Sequence, residues 1–395
     1  MSPSRTETST TEGRQADGGR STNGITLRSA FSAEPSAVDA VAAIAAELGD
    51  TADLFIAFVT AGYDLPAAAT ALTDWAGGRV IACTSAGGID SGGFRREGMV
   101  VVALCGPDLQ VATIPVLPLS DLDRAWAAAD GPLRAAVAAV PHEPQRRAGF
   151  ALMLVDGLSL REEAVAEQVT ARLDGIPMIG GSAGDDLRFR RTAVLVDGTF
   201  VQDAASVTVV TTSAPFRRFR VQHHTAGDDV LVVTSATPDQ RLVHTLNGRP
   251  AVEEYARTVG VPVEHLSPAV FSTHPLVLRA GGGNWIRSIS KVEPDGSLRF
   301  LCTADLGAVL RLGRAQDARL ALESTFAGLR DELGELSGAL VFDCILRRLN
   351  FEETAVDGEL GRLLAESRAV GFSTYGEQYD GVHVNQTMVG IAFGR

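Results

Sequence analysis

The feature that most constrains the fold of this 395-residue chain is an internal repeat of short apolar runs. The order strand, helix, strand, tight polar turn, strand occurs three times, and the first strands are the runs at 54–59, 150–155 and 339–342. Short apolar runs that are bounded by glycine and alternate with helices are typical of buried strands in an α/β sheet. The sequence therefore predicts an α/β protein with mixed sheets, built from repeated strand-helix-strand units.

The second strand of each repeat ends in a turn of similar composition. The turns combine small residues, serine or threonine, and glycine, and they read Cys83-Thr84-Ser85-Ala86-Gly87-Gly88, Gly181-Ser182-Ala183-Gly184-Asp185 and Phe372-Ser373-Thr374-Tyr375-Gly376-Glu377. One such turn is explained by a strand that ends in a loop, because glycine and serine suit tight turns. Since three occur at matching places, we expect the turns to converge on a pocket.

The chain divides into a leader and two consecutive domains. Residues 1–26 are rich in serine, threonine, glycine and mixed charges, which predicts a disordered leader. The two α/β domains are predicted at 27–214 and 215–395. A different segment between the second and third repeats contains predicted strands at 230–234, 271–278 and 285–292 and a predicted helix at 250–258. The longest helix of the second half is predicted at 315–333.

Composition limits the partners and the compartment. The formal charge of −13 argues against a general affinity for nucleic acid or for an anionic membrane surface. No apolar run approaches the roughly 18 residues of a spanning helix, and the N-terminus lacks a secretory core, so we expect a cytoplasmic protein. The four cysteines show no CxxC spacing and are expected to be free thiols; they are Cys83, Cys105, Cys302 and Cys344.

Several motifs of the second half resemble those of one protein family. They are Leu246-Asn247-Gly248-Arg249-Pro250-Ala251, Phe342-Asp343-Cys344-Ile345-Leu346-Arg347, Gly371-Phe372-Ser373-Thr374-Tyr375-Gly376-Glu377 and His383-Val384-Asn385-Gln386-Thr387. The chain resembles a FIST N-terminal domain followed by a FIST C-terminal domain. That resemblance implies a sensory module for a small ligand, often proposed to be an amino acid. It also implies a signalling partner, such as a histidine kinase or a cyclic-dinucleotide enzyme.

Residues at the end of one strand are the preferred ligand contacts. The guanidinium fork of Arg347 suits a carboxylate, and Glu377 suits an ammonium group. Further candidates are Cys344, Ser373, Thr374, Tyr375 and Gly376 in the same region and Ser85 and Asp185 in the other turns. The alternative is that Arg347 and Glu377 simply pair with each other.

Two other functions remain open at the level of sequence. Some members of the family are described as haem proteins that sense nitric oxide, and His383 would be the axial ligand of a haem b held without covalent attachment. His223 and His224 are adjacent, so on a strand only one of them could enter a pocket. Cys344 beside Asp343, with His383 downstream, could instead form the thiolate of an enzyme. The preferred prediction is a non-enzymatic sensor without a cofactor or metal.

Overall fold

The structure is a computed structural model that describes residues 24–142, 148–280 and 282–395. Most of the predicted leader, residues 1–23, lies outside these ranges. Ile25 is only 1% exposed and packs into the core, and the first strand begins at Thr26.

Three units with the same order of elements make up most of the described chain. Each has a strand, a helix, a strand, a helical connection, a strand, a two-strand hairpin and a final strand. The first unit contains β1 (Thr26–Ser32), α1 (Ala37–Leu48), β2 (Leu54–Thr60), α2 (Leu65–Ala76), β3 (Val80–Ser85), β4 (Gly88–Asp90), β5 (Gly93–Arg95) and β6 (Met99–Cys105). The second unit contains β7 (Gln110–Val116), α3 (Leu122–Ala139), β8 (Gly149–Val155), α4 (Glu162–Arg172), β9 (Met178–Ser182), β10 (Val194–Val196), β11 (Thr199–Val201) and β12 (Ala205–Thr211).

The third unit is interrupted by an insertion after its first strand, β13 (Phe216–Gln222). The insertion contains β14 (His224–Thr237), β15 (Leu242–Leu246), β16 (Arg249–Pro250), α5 (Ala251–Val259), α6 (Pro268–Thr273), β17 (Leu276–Ala280), β18 (Gly283–Arg287), β19 (Ile289–Val292), β20 (Leu298–Phe300) and β21 (Val309–Ala315). Two short 3-10 helices also belong to it, Pro238–Gln240 and Val263–His265. The third unit resumes with α7 (Ala318–Leu333), β22 (Leu336–Cys344), α8 (Ile345–Glu353), α9 (Asp357–Glu366), β23 (Ala369–Thr374), β24 (Glu377–Tyr379), β25 (Val382–Val384) and β26 (Thr387–Gly394).

The three units exchange their hairpins in a cycle. Their sheets have the orders β1-β6-β2-β3-β10-β11, β7-β12-β8-β9-β24-β25 and β13-β26-β22-β23-β4-β5. The hairpin of the second unit thus extends the first sheet, that of the third unit extends the second sheet, and that of the first unit extends the third sheet. Within each unit the two central strands are parallel, which confirms the predicted strand-helix-strand repeats.

The sheets pack against one shared apolar core. Phe58 of β2 stacks on Phe372 of β23 with ring centroids 4.4 Å apart, and Phe342 of β22 meets the same Phe372 ring edge-on at 5.7 Å. Leu152 and Ile179 of the second sheet belong to the same core cluster. Burying each phenylalanine side chain contributes about 1.5–3 kcal/mol, so this core fixes the sheets relative to one another.

Two predictions about individual elements are wrong. The run at 271–278, predicted as a strand, is divided between α6 and β17, because Ser267 caps a short helix that starts at Pro268. The segment after Cys344 was expected to be the exit of a strand, but it forms α8. Arg347 therefore lies in the first turn of a helix.

Candidate functional site

The three polar turns meet, as the repeat predicts. The turn after β3 pairs with the turn after β23 through reciprocal backbone hydrogen bonds: the Ala86 N–H donates to the Ser373 carbonyl (3.1 Å), and the Ser373 N–H donates to the Gly87 carbonyl (2.9 Å). The turn after β9 joins both others, through Gly184 N–H to Thr84 (3.0 Å), Ser182 N–H to Gly376 (2.8 Å) and Tyr375 N–H to Ser182 (3.2 Å). The meeting point is densely hydrogen-bonded, and its side chains are buried.

Two carboxyl groups are fully buried beside these turns. Asp343 lies near the end of β22, opposite Ser373 in the parallel register, and Glu377 begins β24. Burial raises the pKa of Asp343 to about 6, although the nearby Arg347 charge opposes this shift. Burial raises the pKa of Glu377 to about 8, against the hydrogen bonds from Thr374 and Thr387. Desolvation is the dominant cause, because it disfavours the charged form of a carboxyl group.

Arg347 pairs with Asp343, one turn before it, and not with Glu377. The Arg347 Nε donates to the Asp343 Oδ1 at 2.7 Å, and the Arg347 side chain is 2% exposed. Its guanidinium also lies 5.0 Å from the ring centroid of Phe351. The alternative interpretation, in which Arg347 pairs with Glu377, is therefore wrong. Glu377 instead accepts hydrogen bonds from the hydroxyl groups of Thr374 (2.6 Å) and Thr387 (2.7 Å).

Several buried polar atoms in this region have no hydrogen-bond partner among the residues that the structure describes. They include three acceptor oxygens, Asp343 Oδ2, Asn385 Oδ1 and Gln386 Oε1, and the hydroxyls of Ser85 and Ser373. Buried polar atoms are nearly always hydrogen-bonded, so a group of unpartnered acceptors indicates that water or a ligand completes the site. We call Asp343, Arg347, Ser373, Glu377, Asn385 and Gln386 the buried polar cluster.

Contacts join the members of the cluster. The Gln386 backbone N–H hydrogen-bonds to the Cys344 thiol. In addition to burial, the charge of Asp343 raises the pKa of Glu377, and both carboxyl groups raise the pKa of that thiol. A Cβ atom built on Gly376 would lie 2.9 Å from the Asn385 Nδ2. The loop between β25 and β26 therefore packs directly on the third turn.

The insertion covers the cluster. Its backbone carbonyls accept hydrogen bonds from side chains around the cluster, namely Gln386 to Phe271 (3.2 Å), Asn350 to Ser272 (3.4 Å) and His383 to Leu301 (3.2 Å). A fully buried ion pair also joins the insertion to the second unit, between Arg241 and Glu162 at the start of α4. A ligand can reach the cluster only if some of these contacts open.

Cys344 is not placed as a nucleophile. Burial raises the pKa of its thiol well above the usual range, and the negative charges of Glu377 and Asp343 raise it further. Cys344 stands at the N-terminus of α8, a position that lowers the pKa of a thiol, but burial and the two carboxyl groups outweigh this effect. His383, the histidine considered together with Cys344, is hydrogen-bonded to Gln378 and to the Leu301 carbonyl.

His383 does not fit the role of a haem ligand. It is 2% exposed, its Nδ1 lies 3.1 Å from the Gln378 Nε2, and its Nε2 lies 3.2 Å from the Leu301 carbonyl oxygen. Both ring nitrogens are thus hydrogen-bonded, and Gly376 packs against the ring so closely that a Cβ there would lie 2.3 Å from the His383 Cε1. These contacts leave no open coordination position for an iron atom.

His223 and His224 do not point to opposite sides. The strand breaks at His223, between β13 and β14, and both rings are buried with centroids 4.2 Å apart. Burial, together with the nearby charge of Arg347, lowers the pKa of His223 to about 2 and that of His224 to about 4. His223 contacts Arg347 and Asn350, whereas neither ring nitrogen of the buried His224 has a partner among the described residues.

Asp185 has a structural role in the second turn. Its buried carboxylate accepts the backbone N–H groups of Phe189 (2.9 Å), Arg190 (2.7 Å) and Arg191 (2.9 Å), and it also accepts the Tyr375 hydroxyl. Its oxygens are therefore already occupied. The Tyr375 ring, whose hydroxyl donates to Asp185, stacks on Phe189 with ring centroids 4.9 Å apart.

The sequence interpretation missed Asn385 and Gln386 as site residues, although both stand in a quoted motif. The sequence signal for these two residues is the polar run Asn385-Gln386-Thr387, which stands directly before an apolar run. Within the described residues there is no group of three or more histidine, cysteine, aspartate or glutamate side chains placed to hold a metal ion.

The fold and the cluster define a class: a mixed α/β protein of two consecutive domains with an enclosed polar centre. A FIST N domain model matches residues 53–249, and a FIST C domain model matches residues 251–380. The chain belongs to the FIST family, whose domains are sensory domains of signal transduction. A search of curated proteins gives no match to the chain. No helix among the described residues is long and apolar enough to cross a membrane.

Proposed function

We propose that this protein is a sensor that binds a small ligand carrying an amino group, such as an amino acid, in the buried polar cluster. The observation that carries the proposal is the set of unpartnered acceptor oxygens on Asp343, Asn385 and Gln386. N–H and O–H donors satisfy such atoms, and an ammonium group supplies three donors and a positive charge.

The charge of the cluster supports a cationic group. The guanidinium groups of Arg347 and Arg348 both lie near Asp343, yet burial still raises the pKa of Asp343 to about 6 and that of Glu377 to about 8, so these two carboxyl groups are not fully compensated by the cations around them. A bound ammonium group would favour the ionised carboxylates and displace their protons. Affinity should therefore rise as the pH increases from about 6 to about 8.

Access to the cluster supplies the signalling step. Because the insertion covers the cluster, ligand entry requires an opened state, and the ligand stabilises whichever state it binds more tightly. We propose that a separate partner, such as a histidine kinase or a cyclic-dinucleotide enzyme, reads this change in the cytoplasm. The ligand is expected to leave unchanged, since Cys344 lacks the surroundings of a nucleophile.

Calorimetric titration with a panel of amino acids, at pH 6 and pH 8, tests the proposal. We expect saturable binding of at least one amino acid, tighter at pH 8, and at least about tenfold weaker in Asp343→Asn, since hydrogen bonds to charged groups contribute about 1.5–3 kcal/mol. Ser373→Ala, a milder change, should weaken binding less.

The matched control is Asp156→Asn. Asp156 is a buried acid just after β8, the equivalent strand of the second unit, but both its oxygens already accept hydrogen bonds. This variant should lose stability without losing affinity. Equal affinity of wild type and Asp343→Asn would reject the cluster as the site, and ligand consumption abolished by Cys344→Ala would identify an enzyme instead.

A further inference from the structure

A second cleft lies outside the buried polar cluster, between the β2–α2 connection and the segment 185–191 that leads from β9 towards β10. Its volume is about 410 Å³, within the range of roughly 300–1,000 Å³ for small-molecule sites. Three exposed arginines line it, Arg188, Arg190 and Arg191, together with Tyr63 and Thr84.

None of the three arginine side chains has an ion-pair partner within the described residues. Other arginines of the chain are paired, including Arg241 with Glu162 and Arg347 with Asp343. The three differ from other exposed arginines in that they lie together on one cleft. Like charges gathered on one wall of a cleft repel one another, and an anion that binds between them removes that repulsion.

The backbone that carries these arginines is held in place. The Asp185 carboxylate, which is 2% exposed, accepts the N–H groups of Phe189, Arg190 and Arg191. The same segment contains three residues with positive φ: Asp186 (56°), Leu187 (61°) and Phe189 (49°). Non-glycine residues rarely adopt this conformation, so the hydrogen bonds to Asp185 maintain a strained backbone that presents the arginines in a fixed arrangement.

Two aspartates also line the cleft, but neither competes for the arginines. Asp185 is occupied by the backbone amides and by the Tyr375 hydroxyl. Asp64 caps α2, where its Oδ1 accepts the Ala67 N–H at 3.0 Å. The N-terminus of this 12-residue helix adds its positive end to the wall that faces the arginines.

We propose that this cleft binds a small molecule that carries a phosphate group. A guanidinium presents a planar fork of donors, and three of them match the several oxygens and the double negative charge of a phosphate better than a single carboxylate. The half-buried Tyr63 ring, fixed by its hydroxyl group's hydrogen bond to the Glu34 carbonyl at 2.7 Å, offers an apolar surface to the organic part of the molecule.

This site is independent of the amino-group site proposed above. The two differ in the sign of the ligand charge and in their residues. Tyr375, which belongs to the third turn and donates to Asp185, is one link between them, and Arg348, which pairs with Asp186, is another.

Calorimetric titration at low salt with inorganic phosphate, pyrophosphate, adenosine monophosphate and uncharged adenosine tests the proposal. We expect the phosphate-bearing probes to bind saturably and adenosine not to bind. Binding in the combined variant Arg188→Gln/Arg190→Gln/Arg191→Gln should be at least about tenfold weaker, and rising salt should weaken wild-type binding. Tighter binding of adenosine monophosphate than of pyrophosphate identifies an organic phosphate, and the reverse order identifies the inorganic ion.

Matched variants separate this site from general charge effects. Arg279→Gln removes an exposed arginine of β17, outside the cleft, and should leave phosphate binding unchanged. Asp343→Asn should also leave it unchanged, which distinguishes this result from the test of the buried polar cluster. Equal affinity in the wild type and the combined variant, or no saturable binding of any phosphate probe by the wild type, would overturn the proposal.

Discussion

Glu377 illustrates how burial sets the chemistry of a single side chain. It is completely buried, yet both its oxygens accept hydrogen bonds, from Thr374 and from the backbone and hydroxyl of Thr387. These donors favour the charged form, but loss of solvent outweighs them and raises the pKa to about 8. The residue therefore holds a proton near neutral pH, ready to release it when a cation binds.

The raised pKa of Glu377 predicts how stability depends on pH. Between the ordinary value of 4.5 and about 8, the folded protein binds more protons than the unfolded chain. Stability is thus fully present below the unfolded pKa and is lost as pH rises through the folded pKa. We expect the free energy of unfolding, measured by urea denaturation, to fall over this window by at most about 1.4 kcal/mol per pH unit per proton.

Glu377→Gln should make this dependence shallower. Glu264→Gln, at an exposed position of the insertion, serves as the control and should keep the wild-type slope. Equal slopes in all three proteins would show that the pKa of Glu377 is the same in the folded and the unfolded state. Asp343, whose pKa is about 6, accounts for part of any slope that remains in Glu377→Gln.

Gly376 is required by close packing. A Cβ atom at this position would lie 2.3 Å from the His383 Cε1 and 2.7 Å from its Nε2. We expect Gly376→Ala to lower the free energy of unfolding by about 1–3 kcal/mol, the usual cost of overpacking. Gly358→Ala in α9, where nothing lies within 4 Å, should be neutral or slightly stabilising. Equal unfolding midpoints for the two variants would show that the His383 ring moves away without cost.

At the scale of elements, the contact between α4 and the insertion determines how firmly the cluster is covered. Glu162 and Glu163 occupy the first turn of α4, where the helix dipole favours negative charge. Glu162 pairs with the buried Arg241, and Glu163 accepts the Thr303 backbone N–H at 2.9 Å. The closed state therefore depends on the buried pair of Arg241 and Glu162 and on the partly exposed Glu163.

Arg241→Ala should break this contact. It would leave Glu162, 1% exposed, without its cation, and removing one partner of a buried ion pair typically costs about 3–5 kcal/mol. Removing Arg319, which forms a half-exposed pair with Glu323 on α7, should cost only about 0–1 kcal/mol. Hydrogen exchange of β20 measures the local effect, and unchanged protection there in Arg241→Ala would contradict the role of this pair as a closure.

Some elements could be predicted from the sequence, and others could not. The runs that became β2, β8 and β22 are uniformly apolar, so their pattern was unambiguous. Helix α8 was missed because nine residues with four charged side chains follow a strand directly, and without that helix the i,i+4 pairing of Asp343 with Arg347 cannot be predicted. Hairpin exchange leaves no local signal, since β4 and β5 have the same sequence pattern whichever sheet they join.

At the scale of the whole molecule, the exchanged hairpins make each unit depend on the next. The second sheet receives β24 and β25 from the third unit, and the third sheet receives β4 and β5 from the first. The chain can be divided at the predicted boundary 214/215 or at the junction of the family domains near residue 250. The strand pairs β4–β23 and β9–β24 cross both positions, so neither division separates the sheets.

A fragment of residues 24–214 should not fold alone. It would leave the edge of β9 unpaired and β4 without β23, exposing backbone groups that are buried in the full chain. We expect no cooperative thermal transition in the fragment, and recovery of one when residues 215–395 are added. The full chain is the control and should unfold in one transition. A cooperative transition in the isolated fragment would show that the exchanged hairpins are dispensable.

Synthesis on the ribosome gives the hairpin exchange a further consequence. Ile89 of the first unit pairs with Gly371, so about 280 residues must be translated before this strand meets its neighbour. At about 5–20 residues per second, the wait is roughly 15–55 s. Throughout that interval the nascent chain carries a hairpin with an unpaired edge, and such an edge is a template on which another chain can pair.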